Sequence, residues 1–75
     1  NIQSNLGQVN FRIGRYAEAA TIYRVAYANM ARNPKVLRSQ RIYLLQLLSE
    51  TYLYQNRLDS AEHFSVKALE MAHPH

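Results

Sequence analysis

Cysteine and tryptophan are absent from the 75 residues, and glycine and proline occur only twice each. Without cysteine, neither a disulfide nor a thiolate-bound metal can staple the chain, so side-chain packing must hold it together. That is a demanding condition, because a chain this short buries only about 60% of the surface its unfolded form exposes. No apolar run approaches the roughly 18 residues of a membrane-spanning helix. Acidic residues are few, five against nine Lys and Arg, and the formal net charge of +4 fits an acidic partner or nucleic acid without requiring one. No signal-type segment or small-residue cleavage site is present, and the chain starts on Asn1 rather than methionine. These absences leave a soluble, helical chain, expected in the cytoplasm with no membrane attachment, that reads as a piece of a longer protein.

What is present is helical periodicity. Ile2, Leu6, Val9 and Ile13 recur at one-turn spacing and predict a first helix with a single apolar stripe. Gly14 stops it, since glycine is unpenalised in the left-handed conformation that ends many helices and asparagine is the next most tolerant. Tyr16, Ala19, Ala20, Tyr23, Ala26, Tyr27 and Met30 then form a wide apolar face, predicting a second helix to about Arg32. Asn33 and Pro34 suit the start of a third helix, which the pattern extends from Pro34 to Gln55, about 33 Å long. Its apolar residues, from Val36 to Leu53, wrap much of its circumference, as expected of a helix packed on more than one side. A fourth helix is predicted from Leu58 to Ala72, with Asp59 and Glu62 near its positive end, as Glu18 is in the second. Turns of one or two residues are expected between consecutive helices, which forces antiparallel neighbours.

The chain also repeats itself. Aligning Gly14 with Asn56 gives an offset of 42 residues that also matches Leu6 with Leu48, Gly7 with Ser49, Arg15 with Arg57, Tyr16 with Leu58, Ala19 with Ala61 and Ala26 with Ala68. Leu6-Gly7, Tyr16, Ala19 and Tyr23, and again Leu48-Ser49, Tyr52, Leu58 and Ala61, resemble the pattern of the tetratricopeptide repeat family. The small residues at 7, 49, 19 and 61 are expected where paired helices cross closely. Departures from the pattern are Asn10 at a tyrosine position, Ser65 at a phenylalanine position, Gln3 and Leu45 at the tryptophan position, and a period of 42 rather than the usual 34 or so. The resemblance implies an all-α fold of two antiparallel helix-turn-helix hairpins, residues 1–33 and 34–73, stacked as a right-handed solenoid. The run "YQNRLDSAEHFSVKAL" is similar to bacterial regulatory proteins with such repeats, which implies a signalling or regulatory parent. Measured against the repeat, the first helix is expected to begin before Asn1 and a third unit to open near Pro74. Exposed apolar surface is therefore expected at both ends, with self-association through the end helices.

The family binds segments of other proteins in a concave groove lined by the first helix of each pair. Carried onto this chain, the groove residues are Ser4, Gln8, Phe11 and Arg12, with Tyr43, Gln46, Glu50, Leu53 and Tyr54. Members that clamp a C-terminal carboxylate have Lys and Asn where Ser4 and Gln8 stand, so that clamp is not implied here. Arg32, Lys35, Arg38 and Arg41 form a basic cluster between the units and define the alternative, a nucleic-acid-binding helical unit. Against it, Tyr16, Tyr23, Tyr27 and Tyr52 fall on predicted buried stripes rather than among those cations. His73 and His75 have no carboxylate or thiolate arranged beside them, His63 reads as a solvated rim residue of the fourth helix, and no serine sits in a nucleophile elbow. Two glycines make no phosphate cradle. No catalytic residue, cofactor or metal is expected. The expected partner is a protein or peptide.

Overall fold

A computed structural model describes residues 2–73, with side chains from residue 5 onward. Four helices follow one another: α1 (Ile2–Arg12), α2 (Tyr16–Ala31), α3 (Arg38–Tyr54) and α4 (Leu58–Ala72). Among the described residues there is no strand, so the fold is all-α. Within the pairs, α1 packs on α2 and α3 on α4, and α2 packs on α3 to join the two hairpins. The whole measures 36 × 26 × 15 Å.

Both hairpin corners are built identically. Gly14 has φ +87° and Asn56 φ +60°, the left-handed conformation the sequence predicts for them. At the first corner the Arg15 N–H donates to the Asn10 carbonyl at 2.8 Å and the Gly14 N–H to that of Phe11 at 3.1 Å. At the second, Arg57 donates to Tyr52 at 2.9 Å and Asn56 to Leu53 at 3.0 Å. These paired bonds satisfy carbonyls that a helix end leaves unpartnered, the Schellman arrangement. Arg15 and Arg57 then accept the first bond of the next helix through their carbonyls, from Ala19 and Ala61, at 3.0 Å each.

The core is a seam shared by α2, α3 and α4. Ala19, Ala20, Tyr23 and Ala26 of α2 are buried with Leu44, Leu48 and Tyr52 of α3 and Ala61 of α4. Here small residues do let helices approach: the Ser49 hydroxyl donates across to the Ala61 carbonyl at 2.8 Å. In the first hairpin the smallness of Gly7 serves a different neighbour. A Cβ there would lie 2.8 Å from Cδ1 and 2.9 Å from Cζ of Tyr23, and closer still to Cε1, so the tyrosine ring occupies the space a side chain would take. Tyr52 and Phe64 stack at 5.5 Å between ring centres, joining α3 to α4.

Two sequence expectations need correction. The third helix begins at Arg38, not Pro34, and so spans about 26 Å rather than 33 Å. Asn33 does start a turn, accepting the Lys35 N–H on Oδ1 at 3.0 Å while its carbonyl takes the Val36 N–H at 3.2 Å. That turn is not continued, because Leu37 adopts ψ 148° and the chain restarts there. Gln40 Oε1 accepts the Leu37 N–H at 3.1 Å and fixes the new start. The loops are also longer than the pattern suggested, three residues at each corner and six between the hairpins. The second correction concerns tyrosine: Tyr23 and Tyr52 are buried, but Tyr16 and Tyr27 are only half-buried.

Candidate functional site

A cleft opens between α1 and α3, with α2 beneath it. Gln8 of α1 donates from Nε2 to the Tyr43 hydroxyl of α3 at 2.9 Å, a direct bond between the two repeats. Beside it, Gln8, Phe11, Arg12, Leu47, Glu50 and Thr51 surround a cleft of about 170 Å³ closed below by Tyr23. Arg12 and Glu50 are exposed at the cleft, so it offers both charges with an aromatic floor. Thr51 is buried and its hydroxyl donates back to the Leu47 carbonyl at 2.7 Å, leaving its methyl group for packing.

At the corner end of the groove three rings lock together. Phe11 meets Tyr16 edge-on at 5.2 Å and Tyr54 edge-on at 5.1 Å, and Tyr16 stacks on Tyr54 at 5.3 Å. Such geometries contribute beyond area burial alone. They set how the first corner sits on the second. At the opposite edge the Arg41 guanidinium donates from Nη2 to the Met30 carbonyl at 3.2 Å and the Asn33 carbonyl at 3.1 Å, tying α3 to the end of α2.

Of the residues the sequence assigned to the groove, Gln8, Phe11, Arg12 and Glu50 meet at this cleft and Tyr43 bonds to one of them. Tyr54 belongs to the aromatic corner. Gln46, Glu50 and Leu53 line a second hollow of about 380 Å³, shared with Ser49, Ser65, Ala68, Leu69 and Ala72. The side chain of Ser4 lies outside the described residues, as do Pro74 and His75. Sequence reasoning missed Tyr23, Leu47 and Thr51 as cleft residues, having read the first two as core.

Electrostatics single out Tyr23. Burial pushes its phenol above the ordinary value of 10.0, and the neighbouring Tyr43 and Glu50 push it the same way. Of the basic cluster between the hairpins, Arg41 is committed to the two carbonyls described above, while Arg32, Lys35 and Arg38 are exposed.

Paired antiparallel helices and matched corners define an all-helical repeat protein. The "Tetratricopeptide repeat" family matches residues 1–72, and the chain belongs to that family. It is also 32% identical over 71 residues to protein O-mannosyl-transferase TMTC2 of Mus musculus, a match covering 95% of this chain and 8% of that protein. No solved structure matches the chain. Among the described residues no helix is long and apolar enough to cross a membrane.

Proposed function

We propose that the chain is a noncatalytic interaction module that holds a segment of a partner protein in the groove between α1 and α3. Family membership supports the coarse role, since tetratricopeptide repeats generally mediate contacts between proteins. The observation that carries the finer reading is the Gln8–Tyr43 bond beside the Arg12 and Glu50 cleft. It ties the two groove helices together before any ligand arrives, so little ordering of the receptor opposes binding. Exposed Tyr43, Leu53 and Tyr54 supply apolar contact area along the same wall. Sugar transfer is part of the name of the mouse relative, of which this chain spans 8%, and a module of this kind would serve such an enzyme as a docking part.

The reading that places nucleic acid on Arg32, Lys35, Arg38 and Arg41 has less support. One of those four cations is used up capping α2, and the paired aromatics lie at the opposite edge. The test is a peptide array probed with the 75-residue chain, followed by mapping the binding surface by amide chemical shifts. Binding peptides are expected to shift Gln8, Phe11, Tyr43 and Glu50, and Tyr43→Ala with Leu53→Ala to weaken them at least tenfold. Shifts confined to residues 32–41, or binding unaffected by both substitutions, would overturn the proposal.

A further inference from the structure

The cleft between α1 and α3 is small, and its size restricts what can enter it. An apolar cavity of about 150 Å³ holds one benzene ring. At about 170 Å³ the cleft has room for the head of one side chain and not for a length of backbone. Its apolar surface is the Phe11 ring, Leu47 and, beneath them, the buried Tyr23 ring. The polar groups that reach it are weighted towards acceptors. Gln8 commits its Nε2 to the Tyr43 hydroxyl, which leaves the oxygen of the same amide to accept. Thr51 commits its hydroxyl hydrogen to the Leu47 carbonyl, so its oxygen too is left to accept. Glu50 adds a carboxylate whose charge acts inward: after burial itself, Tyr43 and Glu50 are what raise the Tyr23 phenol. The lining also comes from the C-terminal halves of α1 and α3, the negative ends of both helix dipoles. Arg12, in the last turn of α1, has its charge offset by that dipole, whereas Glu50 has the same sign as the end of α3 near which it lies.

We propose, on the reading that a partner segment lies in the groove, that this cleft seats the guanidinium of one arginine of that segment, against the Phe11 and Tyr23 rings and paired with Glu50. A planar cation fits the volume, gains from the ring faces and brings donors for the Gln8 oxygen and the carboxylate at once. An aromatic side chain would fill the same space but leave those acceptors without a donor, which costs free energy where water is excluded. A lysine would bring the charge without the plane. The chain's own net charge of +4 repels a strongly basic partner, so the segment is expected to carry its arginine among neutral or acidic residues. An acidic neighbour would then meet Arg12.

Titrating the 75-residue chain with Nα-acetyl-arginine N-methylamide, followed by amide chemical shifts, tests the cleft without a peptide. The compound is expected to shift Gln8, Leu47, Glu50 and Thr51, and to bind about fivefold or more tightly than its citrulline counterpart, which has the same shape and no charge. The lysine and phenylalanine counterparts are expected to bind more weakly than the arginine compound as well. Glu50→Gln should bring the arginine compound down to the citrulline level, while Arg12→Gln leaves it unchanged or tightens it. Both residues are exposed, so neither change puts the fold at stake. Equal binding of the arginine and citrulline compounds, a preference for the phenylalanine compound, or indifference to Glu50→Gln overturns the proposal. In the peptide array, captured segments that lack arginine and ignore Glu50→Gln would overturn it while leaving the groove as a peptide site. The arginine compound binding in the cleft with no peptide captured would do the reverse, refuting the peptide site and upholding the cation site.

Discussion

Replacing Gly7 with alanine pits two effects of opposite sign against each other at one site. In an isolated helix the change is favourable by about 1 kcal/mol, because alanine restricts the unfolded chain and glycine does not. In this fold the new methyl group falls inside contact distance of three ring carbons of Tyr23. That ring cannot simply swing away. It is buried in the cluster of Ala19, Ala20, Leu44 and Leu48, with Phe11 and Leu47 packed against it. Overpacking of a filled core costs about 1–3 kcal/mol, and a tyrosine only 1% exposed belongs in the upper part of that range. The net effect is a loss of about 2 kcal/mol. For a domain of this size each kcal/mol moves the melting temperature by about 4–8 °C, so Gly7→Ala is expected to melt on the order of 10 °C lower. Thermal melts followed by circular dichroism at 222 nm, with urea titration as a second measure, read this directly. The same substitution in a Tyr23→Leu background is expected to be neutral or stabilising, because the clash is gone and the helix preference remains. A Gly7→Ala chain that melts at or above the wild-type temperature, or an equal effect in both backgrounds, would refute the assignment of that space to the ring.

Three further outcomes are expected. Ala19→Leu, at a site with no exposed surface, should lower stability by about 1–3 kcal/mol in urea titrations. Arg41→Ala removes two bonds to carbonyls at the end of α2 and should cost about 1 kcal/mol, with faster hydrogen exchange at the Asn33 and Val36 amides. Burial raises the Tyr23 phenol in the folded state, so its contribution is complete below the unfolded value of 10.0 and is lost as pH rises through the higher folded value. Melting temperatures measured from pH 8 upward should therefore fall less steeply for Tyr23→Phe than for the wild type.

The corners were legible residue by residue, because only a few residue types tolerate a left-handed backbone and the two stood at equivalent positions, Gly14 and Asn56. The fourth helix was legible to its last residue, being bounded by such a corner and by a clear apolar stripe. What periodicity did not reveal is which neighbour covers a stripe. Leu6 and Leu48 are equivalent in sequence, yet one is exposed and the other fully buried, since only the second has a helix lying over it. The start of the third helix was misread because Asn33 and Pro34 do begin a turn, and nothing local says that it stops at Leu37. Helical spacing put Gln8, Phe11 and Arg12 on one face of α1, and all three line the cleft. The bond from Gln8 to Tyr43 spans 35 positions and depends on how one hairpin leans on the other, which is a property of the packed pair.

That lean is set at the margins rather than in the middle. Three interlocked rings clasp one rim and a single guanidinium laces the other, so the gauge of the slot between them depends in part on Tyr16 and Arg41, which do not line it. Loosening Tyr16 or Arg41 would then change the width of the slot without altering its lining. In a protein of this build, selectivity can drift through the hinges while the lining stays the same.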